Sequence, residues 1–284
     1  MSLAHGLHFS LLVLGLGHAA LASSSLAQPT ANSVYCTQHH VANAQPDEQA
    51  IPACSIGDFK ATHWTAKAMF VNNQNATGWA ELQLESNGVE TDYLQAYSAG
   101  YIEGALTTDL INLNWQNMRQ QAEVSTKTRD FILDNEKWLR DQVAAHSDDA
   151  YWVNVGLVLA QHDGMVAGYN DHRGGLNELS ATDLMLVGMT VELGDFANAA
   201  DPAARPNYDN MTNDELKTFI LKNTHCSAII KVAADLSELY ASHNTWTDYV
   251  SMLRIFKTIR LPFQTKGVAE AKTVMFSGYP GTIA

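Results

Sequence analysis

Cys226 is the residue whose type and position best suit covalent chemistry. It is the first residue of an alternating run, 226–232, that has the period of a β-strand. If the His225–Cys226 bond is cut, the cysteine gains an α-amine beside its own thiol. Such an amine has an ordinary pKa of about 7.7–8.0, which suits a general base. The thiol would first attack the carbonyl before it and then accept an acyl group from a substrate. The competing interpretation is that a cysteine on a strand is a small buried apolar residue.

A second strand is predicted directly after the first, and it carries His243. Residues 239–243 alternate again, and residues 233–235 are short enough to form the turn between the two strands. This pairing predicts that His243 lies close to Cys226 at the same end of the sheet. We expect both side chains to face one cavity, with Trp246 on its wall.

Helices and strands elsewhere in the chain are predicted from apolar period and turn residues. Residues 245–248 resemble a helix cap, and the helix that they open should extend to Ile259. The small residues Ala96, Gly100 and Gly104 lie four apart, which predicts close packing of a second helix. The other predicted elements include a hairpin of 64–70 and 79–85 and helical segments over 92–118, 125–145 and 151–160. The last of these helices is expected to break at Asp163-Gly164, just after its end. A capping box at 180–183 opens a further helix, and a linker at about 198–225 and a strand at 274–276 complete the prediction.

Five short motifs resemble the phospholipase B-like family. Around the thiol they are THCSAIIK at 224–231 and HNTW at 243–246, and near the C-terminus SGYPGT at 277–282 resembles the S-x-Y-P-G motif of that family. Upstream, TGWA at 77–80 and AGYIEG at 99–104 match its pattern. The resemblance extends from about residue 64 to the end of the chain.

This resemblance implies an α+β fold, namely the αββα sandwich of the N-terminal nucleophile hydrolases. It also implies a secreted or lysosomal precursor that is cut between His225 and Cys226. Cys226 matches the family nucleophile, and His243, Asn244 and Trp246 match the block that lies beside it. These four residues are therefore the catalytic residues that the resemblance implies.

The resemblance divides the chain into two parts of one hydrolase domain. Residues 64–225 would be the N-terminal part, and residues 226–284 would begin the part that bears the nucleophile. Family chains continue well past the S-x-Y-P-G segment. We therefore expect that the second part is cut short and that the sandwich is incomplete in this chain.

The implied function is removal of acyl chains from glycerophospholipids by hydrolysis of carboxylic ester bonds, without a cofactor. The expected partner is a phospholipid or another acyl-lipid substrate. Two alternatives stay open, because a thiol nucleophile does not specify the bond. One is an amidase acting on N-acyl or peptide amides. The other is a catalytically silent secreted lipid-binding protein, which a Cys226→Ser variant would distinguish because binding would survive the substitution.

The N-terminus predicts a secretory signal peptide. Residues 9–22 are apolar and uncharged but too few to cross a bilayer comfortably, and Ala20-Leu21-Ala22 has the small-x-small pattern that signal peptidase needs. Residues 1–22 would be the signal peptide and residues 23–63 an irregular arm. The predicted localisation is therefore secreted or lysosomal.

Other features agree with the secretory pathway. Asn75 and Asn210 begin sequons and are the predicted glycosylation sites. In an oxidising compartment Cys36 and Cys54 could close a short disulfide loop. Cys226 would then be the free thiol.

Composition and charge exclude several other classes of function. The 17 Lys and Arg residues against 30 Asp and Glu give a net charge of −13, which argues against a nucleic-acid partner and against polybasic attraction to anionic membranes. No stretch outside the leader is apolar for long enough to be a transmembrane segment. The histidines at 39–40, His162 beside Asp163, and His172 could be imagined as zinc ligands. No spacing among them matches a known pattern, so no metal is predicted.

Overall fold

Along the chain, strands come first, a run of helices follows, and strands return after residue 226. The structure is a computed structural model, and the residues that it describes are 64–121, 124–203, 205–223, 226–246, 249–268 and 272–283, with the backbone alone for 33–39, 53–56 and 120–121. The predicted signal peptide, His40, Thr224, His225 and most of the predicted arm lie outside the described residues.

Eight strands are present in the described residues. They are β1 (Ser33–His39), β2 (Ala53–Ile56), β3 (Ala66–Asn73), β4 (Trp79–Ser86), β5 (Ser227–Val232), β6 (Leu239–Asn244), β7 (Ile255–Arg260) and β8 (Thr273–Gly278).

Eight α-helices are described, all of them between β3 and β5 in the sequence. They are α1 (Gln74–Thr77), α2 (Asp92–Leu106), α3 (Thr108–Gln121), α4 (Thr126–Ala145), α5 (Ala150–His172), α6 (Ala181–Gly188), α7 (Leu193–Ala200) and α8 (Asn213–Asn223). Short 3-10 turns lie at Thr190–Glu192, Tyr208–Asn210 and Tyr249–Ser251.

The larger sheet has six strands in the order β2-β1-β3-β4-β7-β8, and β5 and β6 form a separate antiparallel pair. Neighbours in the larger sheet are antiparallel except β4 and β7, which are parallel. The predicted hairpin is confirmed by β3 and β4, and β8 confirms the predicted C-terminal strand. The described residues thus combine helices and sheets as an α+β fold requires, while the αββα sandwich stays a prediction.

The predicted helix ending at Ile259 is wrong, because Tyr249–Ser251 is only a 3-10 turn and β7 occupies the stretch from Ile255. Ile255, Lys257 and Ile259 are buried, while Phe256 and Arg260 are exposed, so burial follows the period of a strand. The backbone of β7 pairs with β4 on one side and β8 on the other. Sheet pairing on both edges, together with burial of alternate side chains, outweighs the helical spacing of the sequence.

One face of the larger sheet packs against α2 to form a core. The buried side chains of this cluster come from three strands, α2 and the start of α3, and they are Ala66, Ala68, Phe70, Ala80, Leu82, Leu84, Ala99, Ile102, Leu106, Leu110, Ile255 and Ile259. They alternate along each strand, and β3 also buries Met69 and Val71, which lie on its other face.

Helices α2 and α5 approach each other through glycines. Gly100 and Gly104 of α2 face Gly164 and Gly168 of α5, and a β-carbon at any of the four would collide with the main chain of the opposite helix. The predicted close packing along this seam is therefore confirmed. The predicted helix break at Asp163-Gly164 is wrong, because α5 continues through it and uses Gly164 at the crossing.

Capping residues fix the helix starts that the sequence predicts. Ser180 and Asp183 form a reciprocal capping box at α6, and the Ser125 hydroxyl accepts a hydrogen bond from the Thr128 amide at α4. Thr212 and Glu215 make the same reciprocal pair of bonds at α8. The predicted linker at about 198–225 therefore contains a helix, and no residue of that helix is buried.

Candidate active site

Cys226 lies immediately before β5 with an unusual backbone conformation. Its φ is +72°, a left-handed value that few residues other than glycine adopt. Among the described side chains it is an unpaired cysteine, and it is half-buried. The thiol is thus partly accessible at a strained point of the chain.

The strand pairing brings His243 to the same end of the small sheet. Ser227 pairs with Asn244 and Ala228 with His243, so Cys226 lies next to the end of β6. Cys226 and His243 line one cavity of about 540 Å³. The structure therefore places these two residues together, as the sequence predicts, while their chemical roles stay a prediction.

Asn244 and Trp246 do not line this cavity. Trp246 has about half of its surface exposed, and its indole N–H donates to the Ser227 hydroxyl over 3.2 Å. The neighbouring Thr245 lines the cavity instead. The prediction that Trp246 forms the cavity wall is wrong, because its indole turns toward β5 and ties the end of β6 to it.

Residues far apart in the sequence complete the cavity. They come from α3, the region from the end of α6 to α7, the end of α8, and the strand pair with Thr245 after it. The 3-10 turn at Tyr249–Ser251 and the SGYPGT segment supply the others. The lining residues are Asn114, Met118, Val187, Gly188, Thr190, Val191, Glu192, Asp195, Asn223, Cys226, His243, Thr245, Ser251, Tyr279 and Thr282.

The SGYPGT segment forms one wall because α2, α3 and β7 hold it in place. The Asn114 amide donates to the Pro280 carbonyl over 2.9 Å, and the Lys257 ammonium donates to the Thr282 carbonyl over 2.6 Å. Lys257 also forms an ion pair of 2.7 Å with Glu103, and both side chains are completely buried. Tyr279 and Thr282 of this segment line the cavity.

Sequence reasoning missed these supporting residues. Glu103 lies inside the AGYIEG motif, but the motif gave no partner for it. Lys257 alternates with Ile255 and Ile259, and recognition of β7 as a strand would have predicted that its side chain shares their buried face. A lysine on the buried face of a strand needs an acidic partner, which was the available signal.

His162 and His172 do not share a site. They lie ten residues apart on α5, which separates them by about 15 Å along the helix axis. The His172 ring bonds the Gly168 carbonyl, whereas the buried His162 ring has no hydrogen-bond partner among the residues that the structure describes. Burial lowers the pKa of His162, against the opposing effect of the Asp163 and Glu136 carboxylates.

The remaining predicted sites are placed only in part. Asn75 in α1 and Asn210 in a 3-10 turn are exposed. The backbone register puts Cys36 opposite Ile56 and Cys54 opposite Gln38, so the cysteines occupy diagonal positions on neighbouring strands. The side chains of Cys36, Cys54 and His39 lie outside the described residues, and the disulfide stays a prediction.

The described part of the chain contains neither a membrane-spanning helix nor a cluster of metal-ligating side chains. No helix in it is both long and apolar enough to cross a membrane. In the same residues, no group of three or more histidine, cysteine, aspartate or glutamate side chains is arranged to hold a metal ion.

A cavity that presents a thiol and an imidazole is chemically suited to acyl transfer. The thiol can form a thioester with an acyl group, and the imidazole can donate a hydrogen bond to the oxygen of that group. The apolar side chains of Met118, Val187 and Val191 line the same space and can contact an acyl chain.

Comparison with known proteins agrees with the motifs around this cavity. The family model described as Phospholipase B matches residues 66–284. Phospholipase B-like protein B of Dictyostelium discoideum is 37% identical over 225 residues, covering 77% of this chain and 39% of its own length. Phospholipase B-like protein C of the same organism is 34% identical, with 77% and 39% covered. Phospholipase B-like protein A of the same organism is 32% identical over 291 residues, which cover 97% of this chain and 49% of that protein.

These matches identify the family of this chain, but they cover only part of the length of the relatives. The family model covers well over half of this chain, while the chain spans less than half the length of those relatives. The matched region contains Cys226, His243 and the walls of the cavity. This chain belongs to the phospholipase B-like family.

Proposed function

We propose that this protein hydrolyses acyl esters of glycerophospholipids and that the Cys226 thiol is its nucleophile. One observation carries the proposal: in a chain of the phospholipase B-like family, Cys226 and His243 line the same cavity. The thiolate sulfur bonds to the acyl carbonyl carbon, and the ester oxygen leaves as an alcohol after taking a proton. Water then attacks the thioester, which releases a fatty acid and restores the thiol.

The base in this proposal is made by cleavage between His225 and Cys226. The thiol attacks the His225 carbonyl carbon and displaces the Cys226 nitrogen, and water hydrolyses the resulting thioester. The products are a carboxylate on His225 and a free amine beside the thiol. The left-handed backbone of Cys226 supports this step, because the strained conformation is relieved when the bond before it opens.

The residues of the HNTW block have different proposed roles. His243 reaches the cavity, so it is assigned to hydrogen bonding of the carbonyl oxygen that becomes negative as sulfur attacks. Asn244 and Trp246 are assigned to positioning. Asn244 pairs in register with Ser227, and Trp246 donates to the Ser227 hydroxyl, so both fix the residue next to the nucleophile.

We also propose that the protein matures in the secretory pathway and acts in a lysosome or outside the cell. The apolar leader at 9–22 and the exposed Asn75 and Asn210 sequons support this compartment. The pairing of β1 with β2 puts Cys36 and Cys54 on neighbouring strands, and the proposed disulfide needs a small backbone shift there, because diagonal positions on a sheet lie about 7–8 Å apart.

Amide hydrolysis is the second candidate function. It is favoured by the same observation, since a cysteine with its own amine as base can attack an ester or an amide carbonyl. The two candidates differ in the leaving atom, which is oxygen in one and nitrogen in the other. A third candidate, lipid binding without turnover, predicts that no acyl group is released.

The test is release of fatty acid from a short-chain phosphatidylcholine and from an N-acyl ethanolamine of equal chain length. The wild-type chain is expected to release acid from the ester, and Cys226→Ala is expected to release none. Ser237→Ala is the control, because Ser237 is exposed in the loop between the two strands and away from the cavity. Equal release by Cys226→Ala would overturn the proposal, and release from the amide alone would replace it with the amidase.

A further inference from the structure

We infer that this cavity selects acyl substrates with a cationic group near the scissile bond and discriminates against substrates whose only charge is negative. The inference rests on the proposed function and names the substrate class of the same site. It assigns Glu192 and Asp195 as the residues that determine this preference.

The charge of the cavity wall has one sign. Glu192 ends the 3-10 turn before α7, and Asp195 lies in the first turn of that helix. Both line the cavity with Cys226 and His243, and both are exposed to solvent. The described lining residues include no lysine and no arginine. In the uncut chain, an anionic group bound here would meet two carboxylates and no lysine or arginine; after the proposed cleavage, the Cys226 α-amine would be the one cationic group opposite them.

The lysine behind the wall cannot supply a positive charge to a ligand. Lys257 donates to the Thr282 carbonyl, and Thr282 lines the cavity. The Lys257 side chain is completely buried and lies 2.7 Å from the Glu103 carboxylate. Its charge is therefore neutralised by Glu103 and is shielded from the cavity by the segment that it holds.

The two arginines on the other side of Met118 belong to a different space. Arg119 and Arg129 line a separate cavity that shares Met118 with the candidate site. Arg129 is paired there with Asp183 over 3.2 Å, and the Arg119 guanidinium lies over the Trp115 ring. An anionic head group would need to reach beyond the buried Met118 to meet them.

The apolar and acidic parts of the wall suggest how a substrate is oriented. Met118, Val187 and Val191 offer contacts to an acyl chain, while Glu192 and Asp195 attract a cation. Carboxylates that face solvent interact weakly with a single charge, and two of them change affinity by about tenfold between a cation and an anion of the same shape. Zwitterionic lipids with an amine head group, and acyl esters of amino alcohols, fit this pattern better than acidic lipids.

The test measures binding and therefore does not depend on turnover. The probes are octyltrimethylammonium, octyl glucoside and octyl sulfate, titrated into the whole chain below their micelle concentrations and followed by calorimetry. The cationic probe is expected to bind about tenfold more tightly than the anionic one. In the Glu192→Gln, Asp195→Asn double variant this ratio is expected to fall close to one.

The control variant removes the same charge elsewhere. Asp130→Asn, Asp134→Asn changes two exposed carboxylates of α4 that do not line the cavity, and it is expected to keep the tenfold ratio. A ratio near one in the wild-type chain would overturn the inference. So would an equal loss of preference in both double variants, because the preference would then reflect only the net charge of the chain.

These outcomes separate the inference from the proposed function. Ester hydrolysis that depends on Cys226, without preference among the octyl probes, would leave the function standing and remove the charge selection. A charge preference that depends on Glu192 and Asp195, without hydrolysis, would show a selective site that lacks the proposed reaction.

Discussion

Two regions of the molecule differ in how far their side chains are buried. One is the larger sheet with its helices, and the other is the small hairpin of β5 and β6 with α8. In the first region α2 packs on the sheet, α2 and α5 meet at main-chain contact, and an ion pair is completely buried. In the second region every residue of β5 and β6 is exposed, and α8 buries none. The cavity lies where the two regions meet. Stability should therefore depend on the first region and the proposed chemistry on the second.

The largest expected effect is on the buried ion pair. Lys257→Met should lower the free energy of unfolding by about 3–5 kcal/mol, because Glu103 would remain buried without its partner. Lys67→Met is the matched control, since the Lys67–Glu85 pair is partly exposed and its loss should change stability by less than about 1 kcal/mol. Urea denaturation followed by circular dichroism measures both.

A double variant sharpens this prediction. Lys257→Met with Glu103→Leu removes both charges and should recover most of the lost stability. If Lys257→Met were no more damaging than Lys67→Met, the buried pair would not stabilise the first region as described.

The helix crossing gives the next largest effect. Gly100→Ala should destabilise the protein by about 1–3 kcal/mol, because the new methyl group would collide with the main chain of α5. Gly194→Ala is the matched control: it lies in α7 with open space around it, and it should be neutral or stabilising by up to about 1 kcal/mol. Melting temperatures compare the two. Equal melting temperatures of the two variants would show that α2 and α5 can move apart without loss of stability.

The buried His162 predicts a pH dependence of stability. Burial lowers its pKa in the folded state, so the unfolded state binds the proton more readily. The contribution of the uncharged His162 to the free energy of unfolding should be complete above the unfolded pKa of about 6.5. It should be lost as the pH drops below that value, by up to about 1.4 kcal/mol per pH unit. His162→Phe should flatten this part of the curve.

The exposed His146 provides the comparison for that measurement. His146→Phe is the matched substitution, because it makes the same change of side chain at an exposed position of the chain. Equal slopes in wild type and His162→Phe would show that other groups cause the loss of stability in acid.

The smallest expected effect concerns the backbone at Cys226. Cys226→Gly and Cys226→Ala both remove the thiol, but only glycine adopts a φ of +72° without strain. The glycine variant should be more stable than the alanine variant by about 0.5–1 kcal/mol. Calorimetric unfolding of the two uncut proteins measures the difference, and greater stability of the alanine variant would contradict the assigned strain.

Local features of this protein could be predicted from its sequence. The capping box at Ser180 and Asp183, the small-residue seam through Gly100 and the strand pair that carries His243 are confirmed, because each depends on residues close together in the chain. The strand β7 was missed because its residues also fit a helical spacing. Pairing with β8 and with β4, which lies about 175 residues earlier by the register of Ala80 and Ile255, decides between them.

The walls of the cavity could not be predicted in the same way. Asn114, Glu192 and Asp195 carry no motif, and they meet Cys226 only because α3, α7 and the strand pair converge in space. Sequence spacing has no signal for such convergence. Trp246 was misplaced for a related reason, since the motif gives its position in the chain but not the direction of its side chain.

The most direct test of the central claim is the tryptic peptide that contains Cys226. Trypsin cuts after Lys222 and Lys231, so an unprocessed chain yields peptide 223–231 and a chain cut before the thiol yields peptide 226–231. Mass spectrometry of the wild-type chain from a secretory host should find peptide 226–231, and Cys226→Ala should give the uncut peptide alone. A wild-type protein that yields only peptide 223–231, or a new N-terminus at another residue, would contradict the assignment of Cys226 as the nucleophile freed by cleavage.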